Sequence, residues 1–341
     1  MPAVKWGVVG LGEQARKTML PALKKIKEIE IVSVCCSSPE RAEETEKELG
    51  VKSFGRLSDF LDDPEIQVVY ISTPHHLHTP QAFKALEAGK NVLVEKPIAL
   101  SVDGAHKLAE VAHRKKVKLG TCFPLRHHPA LRELKEEIGK GELAELIQAY
   151  VYLSRGRLQE KDWWKDQFHS GPMCMMDLGL QGIDLLLWLT GKKAIEVSAI
   201  GKGGQADDCL NTAVVICINF ENGAFGVASS NNLARGDINF LSLQGFNQQA
   251  LLQMSWPDGD GSFRLIRRSA VREEEKRYEP VDLYKVLAEN FNQAVLGQAG
   301  FSPTPEECYP TVEACCAGIE SLKNGRAVKC GEIHRVTAPK Y

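Results

Sequence analysis

The sequence predicts an α/β fold: a parallel sheet wrapped by helices, followed by an α+β half built on a larger, mostly antiparallel open sheet. Three observations carry this expectation. Over residues 4–121 short β-rich runs alternate with helical patterns, and alternation of that kind implies parallel strands. After about Glu142 the texture changes to longer strands with few helices between them. At 341 residues the chain exceeds what one hydrophobic core usually covers, so two domains are expected, 1–122 and 123–341.

In the first half, strands are expected at residues 6–9, 31–35, 68–72, 92–95 and 119–122. Ala15, Met19, Ala22, Leu23 and Ile26 recur at helical spacing after the first of these, with Pro21 expected to bend or divide the helix. Further helices should start near Pro80 and Ser101. In the second half, strands are expected at 146–153, 196–200, 213–220 and 224–230, and helices at 173–189, 283–295 and 305–323. Glu221-Asn222-Gly223 should close a hairpin, since Asn-Gly suits the positive φ angles of a tight turn.

Composition is ordinary for a globular chain, 43% hydrophobic and 25% charged with a net charge of -2, and calls for neither nucleic acid nor membrane. Arg114-Lys115-Lys116 falls at a helix end, where cations complement the dipole. The apolar stretch 185–189 is too short to span a bilayer. The ten cysteines include the pairs Cys35-Cys36 and Cys315-Cys316 but no C-x-x-C spacing, so most read as small buried hydrophobes. Met1-Pro2-Ala3-Val4-Lys5 leads into a strand with no apolar leader, and a cytoplasmic location is expected.

Gly10-Leu11-Gly12-Glu13-Gln14-Ala15 fits G-x-G-x-x-[G/A] directly after a strand and opening a helix. The first glycine permits the tight turn, the second lets backbone approach a pyrophosphate, and Ala15 allows close helix packing. This reads as the dinucleotide-binding turn of a doubly wound Rossmann sheet, which places NAD or NADP on this half, with a glycine turn that holds no ligand as the alternative. At the tip of the second strand an NAD site usually offers a carboxylate, but here the chain reads Cys35-Cys36-Ser37-Ser38-Pro39-Glu40-Arg41. Ser37, Ser38 and Arg41 suit a 2′-phosphate, so NADP is favoured over NAD, while Glu40 can still reach back.

Val92-Leu93-Val94-Glu95-Lys96-Pro97 puts a carboxylate and an ammonium where a parallel strand ends, the edge at which doubly wound folds bind ligands. Ser72-Thr73-Pro74-His75-His76-Leu77-His78 ends another strand at that edge, and its histidines invite a metal reading, although no acidic ligands accompany them. Lys96 either acts on a substrate or forms a structural salt bridge to Glu95; both are open.

Taken together, the glycine turn, Thr73-Pro74 with His78, the run from Ala85 through Lys90 into Glu95-Lys96-Pro97, and the later Asp177–Asp184 helix resemble the Gfo/Idh/MocA family of glucose-fructose oxidoreductases, inositol dehydrogenases and rhizopine-catabolism proteins. The resemblance covers essentially the whole chain. It implies hydride transfer to or from sugars, cyclitols or related alcohols, and a second domain whose open sheet makes homodimer or homotetramer contacts. It implies that Lys96 lies beside both nicotinamide and the reacting oxygen, that Thr73, Pro74, His75, His78 and Glu95 pack against the cofactor with no metal, and that Arg126 in Phe123-Pro124-Leu125-Arg126 lies near cofactor and substrate.

The family commonly places a histidine four residues after the aspartate of that helix. Here the segment reads Asp177-Leu178-Gly179-Leu180-Gln181-Gly182-Ile183-Asp184, so Gln181 takes the histidine position. Asp177, Gln181 and Asp184 are spaced to share one helix face and are candidate substrate contacts. Glutamine can hydrogen-bond a hydroxyl but cannot exchange a proton near neutral pH. Either Lys96, alone or with Asp177 or a water, handles the proton while Gln181 orients substrate, or the chain is a cofactor-binding regulator without turnover. A third reading is an enzyme that uses held nucleotide transiently, as some glycosidases of this architecture do. His169 is a possible stand-in for the missing histidine, and Trp163-Trp164 a possible cover for substrate or a subunit contact.

Overall fold

The structure, a computed structural model, describes residues 2–143, 145–156, 174–202, 213–232, 239–246, 248–257 and 259–335. Trp163, Trp164, His169 and Gly171-Pro172-Met173 lie outside the described residues. The chain forms two compact units: Met1–Pro124 with Asp282–Tyr309, and Leu125–Val281 with Pro310–Tyr341.

The strands of the first unit are β1 (Val4–Val9), β2 (Ile29–Cys35), β3 (Lys52–Phe54), β4 (Val68–Ile71), β5 (Asn91–Glu95) and β6 (Leu119–Cys122), all parallel in the order β3-β2-β1-β4-β5-β6. The chain winds outward from β1 to β3 and returns to β4 beside β1, so the winding switches direction between β1 and β4. In doubly wound sheets the ligand crevice opens at that switch, outside the carboxyl ends of the strands. β4 and β6 are buried along their whole length, as parallel strands covered on both faces must be.

After β1 a π-helical turn, Ala15–Met19, runs into α1 (Leu20–Leu23). The division expected at Pro21 takes this form: a proline ring clashes with the carbonyl four residues back, and a widened preceding turn makes room for it. The other crossovers are α2 (Pro39–Leu49), α3 (Leu57–Leu61), α4 (His75–Glu87) and α5 (Val102–Lys115). α4 begins at His75 rather than near Pro80, which sits inside it. Proline favours a first turn, and the sequence pattern gave it that place.

α1 is too short to cover the sheet face that carries Trp6. The helix Leu283–Val295 covers it instead: Phe291 meets the Trp6 ring edge-on at 5.9 Å, and Trp6 Nε1 donates to Asn292 Oδ1 at 3.2 Å. Residues 282–309, which the linear boundary at 122/123 leaves in the second half, therefore pack in the first unit.

The second unit holds β7 (Leu146–Ser154), β8 (Ala194–Lys202), β9 (Ala213–Phe220), β10 (Phe225–Asn231), β11 (Asn239–Gly245), β12 (Gln248–Met254), β13 (Phe263–Ser269), β14 (Glu273–Tyr278) and β15 (Val328–Lys329). They form one sheet, β14-β13-β12-β11-β7-β10-β9-β8-β15, in which β7 and β10 are parallel and every other neighbouring pair is antiparallel. Between β9 and β10 only Gly223 has positive φ, +83°, and its N–H donates to the Phe220 carbonyl at 3.0 Å. The hairpin therefore ends in a left-handed glycine after an ordinary turn, and Asn222 is spared the strained conformation that a two-residue loop would impose.

β11 to β14 are absent from the sequence expectation. β14, Glu-Glu-Glu-Lys-Arg-Tyr, shows no apolar alternation because it lies at the sheet edge, where charge blunts pairing with other chains.

α6 (Pro129–Gly139) and α7 (Leu180–Thr190) belong to this unit, and α7 crosses β7 and β10. Gly182 is the point of closest approach: a Cβ there would lie 3.0 Å from Ala228 Cβ and 3.1 Å from Val151 Cγ1. The registers put Tyr150, Tyr152, Val215, Cys217, Val227, Phe240 and Leu251 together on the opposite sheet face, each of them partly or fully exposed.

Candidate active site

In the first unit the site is built from four strand ends. Gly10, just beyond β1, has φ +86°, and a Cβ there would lie 2.5 Å from the Ser72 carbonyl oxygen and 2.6 Å from Thr73 Cγ2. Only glycine fits, by conformation and by space. A Cβ on Gly12 would meet nothing within 4 Å, so the space over the turn is open, as a pyrophosphate there requires. Ala15 is buried against the sheet and Leu11 packs on the core beside it. Glu13 faces solvent and pairs with Lys17 at 2.6 Å. Gln14 turns inward, and its Nε2 donates to Tyr284 Oη.

At the β2 tip, Ser38 caps α2 and accepts from the Arg41 N–H at 3.3 Å. Glu40 hydrogen-bonds back to Ser38 and to its own backbone, which holds its carboxyl below the usual range. Ser37 and the Arg41 side chain are exposed.

At the β4 tip, Thr73 Oγ1 donates to Gln81 Oε1 at 2.6 Å, Pro74 precedes the first residue of α4, and His75 is buried, its ring 5.7 Å edge-on from that of His78. His78 places Nδ1 2.8 Å from the Pro97 carbonyl and Nε2 2.8 Å from the Thr73 carbonyl. Burial keeps its ring below the usual histidine pKa. Among the described residues no group of three or more His, Cys, Asp or Glu is placed to hold a metal.

At the β5 end, Glu95 is buried and accepts from Tyr70 Oη at 2.8 Å. Desolvation raises its carboxyl above the usual range, against the pull of the Tyr70 bond, the Lys96 charge and further bonds from Cys122 and Gln14. Lys96 follows directly, half-buried, at the strand end. The structural partner that the sequence offered Glu95 was Lys96; its hydrogen bonds are to Tyr70, Gln14 and Cys122. None of those pairings was legible, since Tyr70 and Cys122 read as core strand residues and Gln14 lies in the glycine turn, far from Glu95 in sequence.

In the second unit Asp177 lies in a π turn, Met175–Gly179, that runs into α7. Such turns recur at functional sites because they reset the direction of side chains along a helix. Arg155, just past β7, donates from Nη1 to Asp177 Oδ2 at 2.9 Å. No sequence pattern singled out Arg155. Arg126 grips Asp184 with a two-pronged bond, Nε to Oδ2 at 2.8 Å and Nη2 to Oδ1 at 2.6 Å, and Thr311 Oγ1 adds a third at 3.2 Å. Arg126, placed with the cofactor by resemblance, and Asp184, placed with the substrate, are thus each other's buried partners. Gln181 lies between these two ion pairs along the helix, 3% exposed, and its Oε1 has no hydrogen-bond partner among the described residues.

A glycine turn at the switch point of a doubly wound parallel sheet defines a dinucleotide-binding Rossmann domain. Residues 4–123 match the oxidoreductase-family NAD-binding Rossmann model GFO_IDH_MocA, and residues 131–246 match the GFO/IDH/MocA C-terminal domain. The chain belongs to the Gfo/Idh/MocA family of oxidoreductases. It is 25% identical to the 1,5-anhydro-D-fructose reductase of Ensifer adhaerens over 95% of this chain and 98% of that one. It is 34% identical to the D-xylose 1-dehydrogenase (NADP(+)) of Hypocrea jecorina over 44% and 42% of the two chains. The NAD-binding oxidoreductase of Klebsiella pneumoniae superposes with TM-score 0.83 at 21% identity, covering 96% of this chain and 99% of that one. No described helix is long and apolar enough to cross a membrane.

Proposed function

We propose that the protein is an NADP-preferring reductase or dehydrogenase of a sugar, polyol or related carbonyl, with Lys96 giving a proton to the reacting oxygen in reduction and taking it back in oxidation. The observation that carries this is the place of Lys96, directly beyond β5 on the edge that also bears the Gly10 turn. An ammonium held there can stabilise charge developing on a carbonyl oxygen. Gly10, Gly12 and Ala15 would hold the nucleotide, whose nicotinamide supplies or accepts the hydride. The anhydrofructose reductase and xylose dehydrogenase relatives support a sugar substrate. The β2 tip supports NADP: Ser37 and Arg41 are exposed there, while Glu40 is engaged at the start of α2.

Gln181 supports a second reading, a cofactor-binding regulator without turnover, because an amide supplies no proton. We also infer a homodimer or homotetramer through the open sheet face, supported by its apolar row, and a cytoplasmic location, supported by the described cysteines all being free thiols. Sedimentation velocity tests the assembly.

The function is tested by fluorescence titration with NADPH and NADH, after identification of any nucleotide that copurifies, followed by NADPH oxidation with 1,5-anhydro-D-fructose and a panel of aldoses and ketoses. Tighter NADPH binding with turnover of one of these supports the enzyme. Binding without turnover favours the regulator, and binding of neither nucleotide overturns both.

A further inference from the structure

His78 holds two strand ends at once. Its ring lies 2.8 Å from the Thr73 carbonyl beyond β4 and 2.8 Å from the Pro97 carbonyl beyond β5, and the residue is 1% exposed. β4 and β5 are neighbours, with Ile71 opposite Val94. On its other side the Ser72-Thr73 backbone is the wall of the phosphate turn, close enough to Gly10 to exclude a Cβ. Pro97 is bonded to Lys96. One imidazole therefore touches both the backbone that abuts the turn and the backbone that carries the lysine. Both ring nitrogens face protein carbonyls, so the ring has no polar atom left for a ligand.

We propose that His78 is a positioning residue that pins the Thr73 and Pro97 turns together and so fixes Lys96 relative to the glycine turn; the proposal rests on the reading of Lys96 given above. Backbone just past a strand end has lost its ladder partners, and a buried carbonyl needs a donor. A neutral ring carries one N–H and serves one carbonyl at a time, while its bulk keeps the two turns at a fixed separation. Asparagine at this place keeps a donor, and alanine keeps neither donor nor bulk. Displacement of a catalytic group by about 1 Å costs on the order of 100-fold in rate, so the turns matter even though neither touches substrate.

The test compares wild type, His78→Asn and His78→Ala by NADPH titration and by the rate at which trinitrobenzenesulfonate labels Lys96, read by peptide mapping with exposed Lys47 as the control. The expected result is a Lys96 labelling rate changed on the order of tenfold in His78→Ala and partly restored in His78→Asn, with Lys47 unchanged and NADPH affinity largely kept. If His78→Ala does not fold, His78→Asn against wild type decides, with a smaller change at Lys96 alone expected. An unchanged Lys96 rate in a folded variant overturns the proposal. So does an equal change at Lys47, which marks general loosening, a loss of NADPH affinity at an unchanged Lys96 rate, which marks a cofactor contact, or a His78→Asn variant that fails to fold. Labelling needs no turnover, so an enzyme inactive on every carbonyl still returns an answer about His78.

Discussion

Tyr70 donates a hydrogen bond to Glu95 across 2.8 Å, from β4 to the end of the neighbouring β5, with both residues buried. Bonds from Gln14 and Cys122 add to it, so the carboxyl just before Lys96 is tied to the helix that opens after the glycine turn and to β6. Burial outweighs these donors and raises the pKa of the carboxyl.

A raised carboxyl pKa in the folded state has a definite sign. Below the unfolded-state value, about 4.3, Glu95 is protonated in both states and carries no pH-dependent penalty. As pH climbs from there through the raised folded value, the unfolded chain releases its proton more easily, and stability is lost. Glu95→Gln removes that loss and can still accept from Tyr70. Its melting temperature relative to wild type should therefore rise as pH is increased from about 4.5 to 8, measured by circular dichroism; a difference independent of pH would show that Glu95 titrates normally.

Gly10 and Gly12 should separate fold from ligand. Gly12→Ala adds a methyl to open space and should leave urea stability within about 0.5 kcal/mol, yet weaken NADPH binding by tenfold or more, about 1.4 kcal/mol, as judged by fluorescence titration. Gly10→Ala meets the Ser72 carbonyl and a strained φ, and should cost about 1–3 kcal/mol of stability as well. Equal behaviour of the two variants would count against the open cradle.

Asp184→Asn leaves the buried Arg126 cation without its counter-charge and should cost about 3–5 kcal/mol in urea unfolding. The double variant Arg126→Met with Asp184→Leu should recover most of that, because two apolar groups need no partner. If each single variant is nearly neutral, the pair is solvated in solution.

Lys96→Ala should lower kcat/KM for the carbonyl substrate by roughly 100- to 10,000-fold while NADPH still binds. Gln181→His in the wild-type background should add an acidic limb to the pH profile of kcat, since it puts a titratable ring where the chain has an amide. Unaltered turnover in Lys96→Ala would remove the lysine from the chemistry.

The glycine turn and the strand-end lysine were legible because each depends on local order: a turn needs glycine at a fixed place after a strand, and a strand end is read from the apolar run before it, whereas Gln181 stood out only against the pattern that the family resemblance implies. The same reasoning placed β9 and β10 with the turn between them. It passed over β3, which is only three residues long, over β14, whose charges hide it at the sheet edge, and over β11 to β13, although Ala250, Leu252 and Met254 of β12 alternate toward the core, and it started α4 at Pro80 because it treated a proline inside a helix as a beginning.

The sequence by itself determined that the chain has a parallel nucleotide-binding half with Gly10, Gly12 and Lys96 at one edge and a later helix that carries Gln181. Only the tertiary structure decided which groups those residues meet: that Glu95 is bonded to Tyr70, Gln14 and Cys122, that Arg126 and Asp184 pair with each other, that Arg155 holds Asp177, and that His78 spans Thr73 and Pro97. The physical reason is range. Turns and helix faces are set by residues within a few positions, whereas a buried polar group takes whatever partner the fold brings to it, and those partners lie 5 to 58 positions away, or 81 in the case of Gln14 and Glu95, at distances no local pattern records.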